Sequence, residues 1–151
     1  MGKEIHPTSI ISPGAEIAED TYIGPFCIIH DKVRLGKGSR LISNVIIEGA
    51  TEIGENCTVY PFTSIGLPPQ DMKYKGEETG VTIGSQNTIR EYVTIHRASV
   101  SGDGITSIGD GNFLMAYVHI AHDCKIGNSV IMANLATLAG HVSVGDHAVV
   151  G

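Results

Sequence analysis

An aliphatic side chain returns at every sixth residue from Ile5: Ile11, Ile17, Ile23, Ile29, Leu35, Leu41, Ile47, Ile53, Val59 and Ile65. The same phase resumes at Ile83, Ile89 and Ile95, slips by one residue, and continues through Ile108, Leu114, Ile120, Ile126, Met132, Leu138, Val144 and Val150, giving 22 hexads. Four residues after most of these comes a smaller side chain, among them Ala15, Thr21, Cys27, Val33, Ser39, Val45, Thr51 and Cys57. Both positions are expected to point inward. The residue just after the aliphatic one is often glycine (Gly24, Gly36, Gly54, Gly66, Gly84, Gly109, Gly127, Gly145), which reads as a corner needing a permissive backbone. Neither the helical repeat of about 3.6 residues nor strand alternation explains a spacing of six, whereas stacked coils with one aliphatic residue per flat side do. The pattern predicts an all-β chain: one parallel β-helix domain over residues 1–151.

Two stretches break the repeat. Ile65 and Ile83 are 18 positions apart where six would suffice, and between Ile95 and Ile108 the excess is seven. Extruded loops are therefore expected near 66–82 and 96–107, and insertions in solenoids gather on the working face. The hexapeptide pattern resembles the bacterial hexapeptide-repeat acyltransferases. That resemblance implies three hexads per coil, a triangular prism and left-handed winding; the spacing alone leaves the hand open.

With three hexads per coil and each interrupted stretch counted as one hexad, Ile65, Ile95, Ile120 and Leu138 stack in one column. His96, His122 with Asp123, and His141 follow that column along one edge, beside the first loop, and His119 precedes Ile120. A lone histidine at a β-helix corner is usually just solvated, the reading given to His6, His30 and His147. The shared edge marks His96, His119, His122 and His141 as functional candidates.

Charge and cysteine usage narrow the classes. A net charge of −6 argues against a surface for a phosphate backbone, so nucleic acid is not an expected partner. The first residues lack a basic stretch followed by an apolar one, and no apolar run is long enough to span a membrane. A cytoplasmic location is expected. Cys27, Cys57 and Cys124 all fall in the small inward slot and have no C-x-x-C spacing, which points to reduced core residues rather than a disulfide framework or a zinc cluster.

A neutral imidazole suits the removal of a proton from a sugar hydroxyl that attacks an activated acyl group. His122 leads the candidates. Asp123 adjoins it, but neighbours on an extended strand point to opposite faces, so the two meet only if the corner turns Asp123 back. Asp71, on the first loop, is the other carboxylate that could orient the base or hold a hydroxyl. Gly140 could offer a backbone N–H to a developing oxyanion. Lys73, Arg90 and Arg97 are isolated cations that could meet phosphates.

Four strings carry a closer resemblance: Ser64 to Glu77 with its Pro69-Gln70-Asp71-Met72-Lys73-Tyr74 core, Thr94-Ile95-His96-Arg97, His119-Ile120-Ala121-His122-Asp123-Cys124, and Ala136 to His141. In this order they resemble the UDP-N-acetylglucosamine O-acyltransferases of lipid A biosynthesis. The resemblance implies transfer of an (R)-3-hydroxyacyl chain from acyl carrier protein to the glucosamine 3-hydroxyl, with no metal and no cofactor beyond the carrier's phosphopantetheine thioester, a co-substrate. It implies His122 as general base, Asp123 as its partner and Gly140 as oxyanion donor. Asp71, Lys73, His119 and His141 are then substrate contacts, and Gln70 and His96 line the same cleft. It also implies a homotrimer with sites between subunits.

The resemblance runs from about Ile5 to Gly151 yet reaches only the first part of a family member. The chain is therefore read as truncated, without the later coils and the helical domain. Leu135, where Asn is expected, is a departure expected to touch the inner edge of the site. Three other readings remain at this point: the related UDP-3-O-acylglucosamine N-acyltransferase, which also has a His-Ile-Ala-His string but lacks the Gln70 to Lys73 loop; a β-helical metalloenzyme of the carbonic anhydrase type with histidine ligands; and a truncated chain that is only a structural or assembly module.

Overall fold

The computed structural model describes residues 2–151. The described residues form 22 strands, most of them two residues long, and no helix. Every third strand joins the same sheet, which gives one sheet of eight strands and two of seven, all paired in parallel. The first sheet begins at Glu4–Ile5, the second at Ile10–Ile11 and the third at Glu16–Ile17. Where the repeat is unbroken, the register steps by one 18-residue coil, as in Ile5 opposite Ile23 and Ile29 opposite Ile47. The fold is the expected left-handed parallel β-helix of hexapeptide repeats.

Two-residue strands suffice because each peptide group is satisfied by the neighbouring coil rather than by a long ladder along one strand. Glu4 N–H donates to Thr21 O at 2.9 Å and His6 N–H to Ile23 O at 2.8 Å, and this pairing recurs up the prism. The aliphatic column and the smaller column both face inward: from Ile23 to Leu138 the periodic residues are buried, and so are Thr21, Cys27, Ser39, Val45, Thr51 and Cys57. Asn87 and Asn112 occupy the small slot where the chain crosses a corner. Asn87 Nδ2–H donates to Gly109 O at 2.8 Å and its Oδ1 accepts the Asn112 N–H at 2.8 Å, so two buried amides bridge successive coils. The three cysteines are free and buried, and burial pushes each thiol up from its ordinary range. They are packing residues, not nucleophiles.

The corner glycines do a different job from the one read off the sequence. The positive φ falls two residues later, on Asp20, Phe26, Lys32, Asn44, Asn56, Phe62, Gln86, Tyr92, Tyr117, Asp123, Ser129, Leu135, His141 and His147. Of the glycines just after the aliphatic residue, only Gly66 has such a φ. The others, Gly145 apart, stand where the next coil passes close by: a Cβ on Gly24 would lie 1.8 Å from Ile42 O, and one on Gly36 would lie 2.4 Å from Gly54 O.

The loops leave with one local irregularity, a register shift that puts Leu67 opposite His96. Strands extend to Leu67 and resume at Gly80, then extend to His96 and resume at Ile105, so the loops are shorter than expected, 68–79 and 97–104. Both leave the corner between the second and third sheets. Leu135 does not belong to that edge. It stands at the corner between the first and second sheets, 68% exposed, in line with Phe62, Tyr92 and Tyr117.

Left-handed backbone costs an ordinary side chain about 1 kcal/mol, and Asn tolerates it better than most. Gln86 (φ 63°) is exposed at the corner between the third and first sheets, between Asn56 and Gly111 of the adjoining coils. Gln86→Asn is expected to raise stability by about 0.5 kcal/mol, or a melting temperature higher by about 1–2 °C. A calorimetric scan that shows no gain would contradict the strain assigned to these corners.

Candidate active site

The catalytic candidates are set by register. Ile65 lies opposite Ile95, Ile95 opposite Ile120, and Ile120 opposite Leu138, the column expected from counting hexads. Two positions past it stand His122 and Gly140 on adjoining coils, and three positions past it Asp123 and His141, both with φ near 65°. His141 N–H donates to His122 O at 3.0 Å and locks the two corners together. The left-handed residue turns the Asp123 side chain back along the corner, and Asp123 Oδ2 lies 2.9 Å from His122 Nδ1.

Asp123 is only 4% exposed. Its Oδ2 also accepts the Ser99 hydroxyl at 2.6 Å and the Ser99 N–H at 3.0 Å, while Asp123 N–H donates to Thr106 Oγ1 at 2.9 Å. Burial works to raise the Asp123 carboxyl, but the hydrogen bonds from Ser99 and His122 outweigh it and hold the group below the usual carboxylate range. An ionised acid on Nδ1 fixes the tautomer that carries Nδ1–H and leaves Nε2 as the free base.

His122 Nε2 faces Gly140. A Cβ there would lie 2.4 Å from His122 Cε1 and 2.7 Å from Nε2, so only glycine permits this approach. His96, His119, Ala121, His122, Thr137, Leu138, Ala139, Gly140 and Gln70 line a cleft of about 370 Å³. His96 is 7% exposed, and its Nδ1 makes no hydrogen bond within the protein. Burial, with smaller contributions from the charges of His119 and His122, pushes His96 down to about 4. His119 is lowered in the same way, chiefly by burial, and its Nδ1 is 2.6 Å from Thr94 Oγ1. The His96 and His119 rings meet edge to face at 5.1 Å, and those of His122 and His141 at 5.3 Å.

The first loop approaches this cleft unevenly. Gln70 reaches the lining. Asp71 lies beside it and accepts the Lys73 N–H at 3.0 Å. That bond, with the smaller effects of the Lys73 and His122 charges, holds the Asp71 carboxyl below its ordinary value. The Lys73 side chain is 87% exposed and contacts Asp71 at 3.3 Å, so it is not part of the lining in this arrangement. Arg97 acts as a brace under the loop: it donates to Gly66 O at 2.8 Å and to Tyr74 Oη at 3.2 Å, and pairs with Glu48 at 3.5 Å. Arg90 is taken up by Glu91 at 2.9 Å and by the face of Tyr60.

Sequence reasoning missed Ser99, Ser101, Gly102 and Thr106, which surround Asp123 and His141. The available signal was the second insertion, which leaves the same corner one coil before His122. The donor atoms of His122, Asp123 and His141 lie within 4.8 Å of one another, a spacing that could hold a metal ion. Here they are engaged instead by one another and by Ser99 and Ser101. A hydrogen-bonded relay describes this set better than a ligand sphere does.

Residues 105–140 match the bacterial transferase hexapeptide (six repeats) family. The chain is 74% identical over 145 residues to the acyl-[acyl-carrier-protein]–UDP-N-acetylglucosamine O-acyltransferase of Thermodesulfovibrio yellowstonii, covering 96% of this chain and 56% of that protein. It superposes on LpxA from Acinetobacter baumannii with a TM-score of 0.96 and 50% identity, over 97% of this chain and 57% of that one. For the UDP-N-acetylglucosamine acyltransferase from Campylobacter jejuni the TM-score is 0.93 at 42% identity, again over 97% and 57%. The chain thus spans a little over half the length of the relatives it matches. By sequence and by fold it is similar to UDP-N-acetylglucosamine O-acyltransferases built of hexapeptide repeats.

Proposed function

We propose that this chain carries the catalytic edge of an enzyme that moves an (R)-3-hydroxyacyl group from acyl carrier protein to the 3-hydroxyl of UDP-N-acetylglucosamine, an early step of lipid A synthesis. The observation that carries the reading is the His122–Asp123 pair at 2.9 Å, set against a glycine on the next coil. His122 Nε2 takes the proton of the sugar hydroxyl as that oxygen attacks the thioester carbonyl. The C–O bond forms, the carbonyl oxygen becomes an oxyanion, and the Gly140 N–H stabilises it. Collapse re-forms the carbonyl and breaks the C–S bond, and His122 gives its proton to the departing sulfur, so the carrier leaves as the free thiol and the neutral base is restored.

Asp123 stays ionised throughout and keeps the ring oriented. Gln70, Asp71, His96, His119 and His141 serve substrate binding, and Lys73 joins them when the loop meets a ligand. The thioester supplies the activation, so no resident cofactor or metal is needed. Both substrates place the reaction in the cytoplasm, and no helix of the described residues is long and apolar enough to cross a membrane.

The same reading assigns a homotrimer. In its support, Phe62, Tyr92 and Tyr117 stack in a ladder at the corner between the first and second sheets, centroids 5.3 and 4.9 Å apart, all about half exposed. Exposed apolar ladders of this kind mark protein contacts.

His122→Ala is expected to lower the acyl-transfer rate about a thousandfold; retention of most activity would remove His122 from the role of base. Tyr92→Asp places a charge within the ladder and is expected to convert the trimer to monomers in sedimentation. A wild-type monomer, or a variant that stays trimeric, would refute the assembly. Because folded His96 titrates near 4 and an unfolded histidine near 6.5, the unfolded chain binds the extra proton as pH falls through that window. Stability is complete above about 6.5 and declines by up to roughly 3 kcal/mol toward pH 4. His96→Asn is expected to flatten that decline in thermal melts; an unchanged slope would show that burial does not keep His96 neutral.

A further inference from the structure

The 97–104 loop carries the residues that hold Asp123 in place. Val100 to Asp103 of this loop are exposed, but Ser99 is only 4% exposed. Its hydroxyl and its N–H both donate to Asp123 Oδ2, the oxygen that His122 Nδ1 uses, whereas Asp123 Oδ1 is buried and makes no hydrogen bond. Three donors on one oxygen fix the rotation of the carboxylate about its terminal bond, a rotation that is otherwise soft.

A chain of hydroxyls continues outward. Ser101 Oγ is 2.6 Å from Ser99 Oγ and 3.1 Å from His141 Nε2. With one proton on each hydroxyl, His141 donates to Ser101, Ser101 to Ser99, and Ser99 to Asp123. The loop also passes tightly over the acid, since a Cβ on Gly102 would lie 2.9 Å from Asp123 Oδ1. Its far end is pinned by Lys125, whose Nζ lies 2.8 Å from Asp103 Oδ1. None of these loop residues lines the cleft.

We propose that Ser99 is a positioning residue: through Asp123 it sets the tautomer and orientation of the His122 ring, which makes the 97–104 loop part of the catalytic centre. This deepens the proposed reaction and rests on His122 being its base.

The test compares the whole wild-type chain with Ser99→Ala, Ser99→Cys, which keeps the volume with a weak donor, and Ser99→Thr, which keeps the hydroxyl. Imidazole 15N shifts report the His122 tautomer at neutral pH, with the signal identified by its loss in His122→Ala. The wild type and Ser99→Thr are expected to show His122 as the Nδ1–H form. Ser99→Ala and Ser99→Cys are expected to show a mixture with Nε2–H and about a tenfold lower kcat, with KM within about twofold. If Ser99→Ala does not fold, Ser99→Cys decides alone. An unmixed tautomer in the folded Ala or Cys variant overturns the proposal, as does a Thr variant as impaired as Ala. Were the wild type to transfer no acyl group while the tautomer still followed Ser99, the reaction assignment would fall and the positioning role would stand.

Discussion

Coil-on-coil hydrogen bonding is the constraint from which the rest of this structure follows. A two-residue strand has no partners of its own, so each coil is complete only between the coils before and after it. Neighbouring coils must therefore keep one spacing and one register along the whole prism. Glycine is needed wherever a side chain would meet the next coil's backbone, as at Gly24 and Gly36. Some of the small polar residues in the inward slot bond to the next coil: Ser9 Oγ accepts the Cys27 N–H and Ser39 Oγ the Cys57 N–H, both at 3.0 Å. Inserted segments can only go outward. The strand Gly80–Ile83 pairs through four residues with each neighbour, so the register is regular after the first loop, whereas on entering it the pairing with the next coil shifts by one residue between Ile65 and Leu67.

The same constraint explains how a site can be built from repeats. Positions two and three past the second-sheet column are neighbours on successive coils whatever residues occupy them. On two such coils they are His122 with Asp123 and Gly140 with His141, and on the coil before them the chain runs into the loop that brings Ser99. Catalytic distances here follow from register rather than from a fitted loop, and rigid elements hold such constellations most accurately. The corner's left-handed residue is normally a strain. At Asp123 it has a use, because that backbone turns the carboxylate back onto the ring that precedes it.

Much of this was readable before any coordinates. The hexad phase locates every strand, and counting three hexads per coil aligns Ile65, Ile95, Ile120 and Leu138. Periodicity works there because burial dictates the inward positions. It says little about outward ones. The corner glycines were misassigned because a glycine that avoids the next coil's carbonyl and one that adopts a positive φ look alike in sequence. Leu135 was placed near the site by its closeness to Ala136, although the corners of successive hexads lie at different edges of the prism. Ser99 went unnoticed because a serine in an irregular insertion carries no phase, and its burial depends on the path the loop takes.

Four imidazoles crowd one edge, and their surroundings assign them different work. Burial keeps His96 neutral. His119 has its Nδ1 against the Thr94 hydroxyl, and His141 has its Nε2 against the Ser101 hydroxyl. The Thr94 hydroxyl orients the His119 ring without adding charge, and His141, whose Nε2 also lies 3.5 Å from Asp123 Oδ2, stands outside the cleft lining. Only His122 combines an ionised partner at hydrogen-bond distance on one nitrogen with a second nitrogen facing a side-chain-free corner of the cleft. A general base needs both: a fixed tautomer, with a nearby charge that stabilises the proton it accepts, and an unobstructed lone pair. The proposal of His122 over its neighbours thus rests on what stands three residues past Ile120 and two residues past Leu138, positions the hydrophobic repeat leaves free to vary.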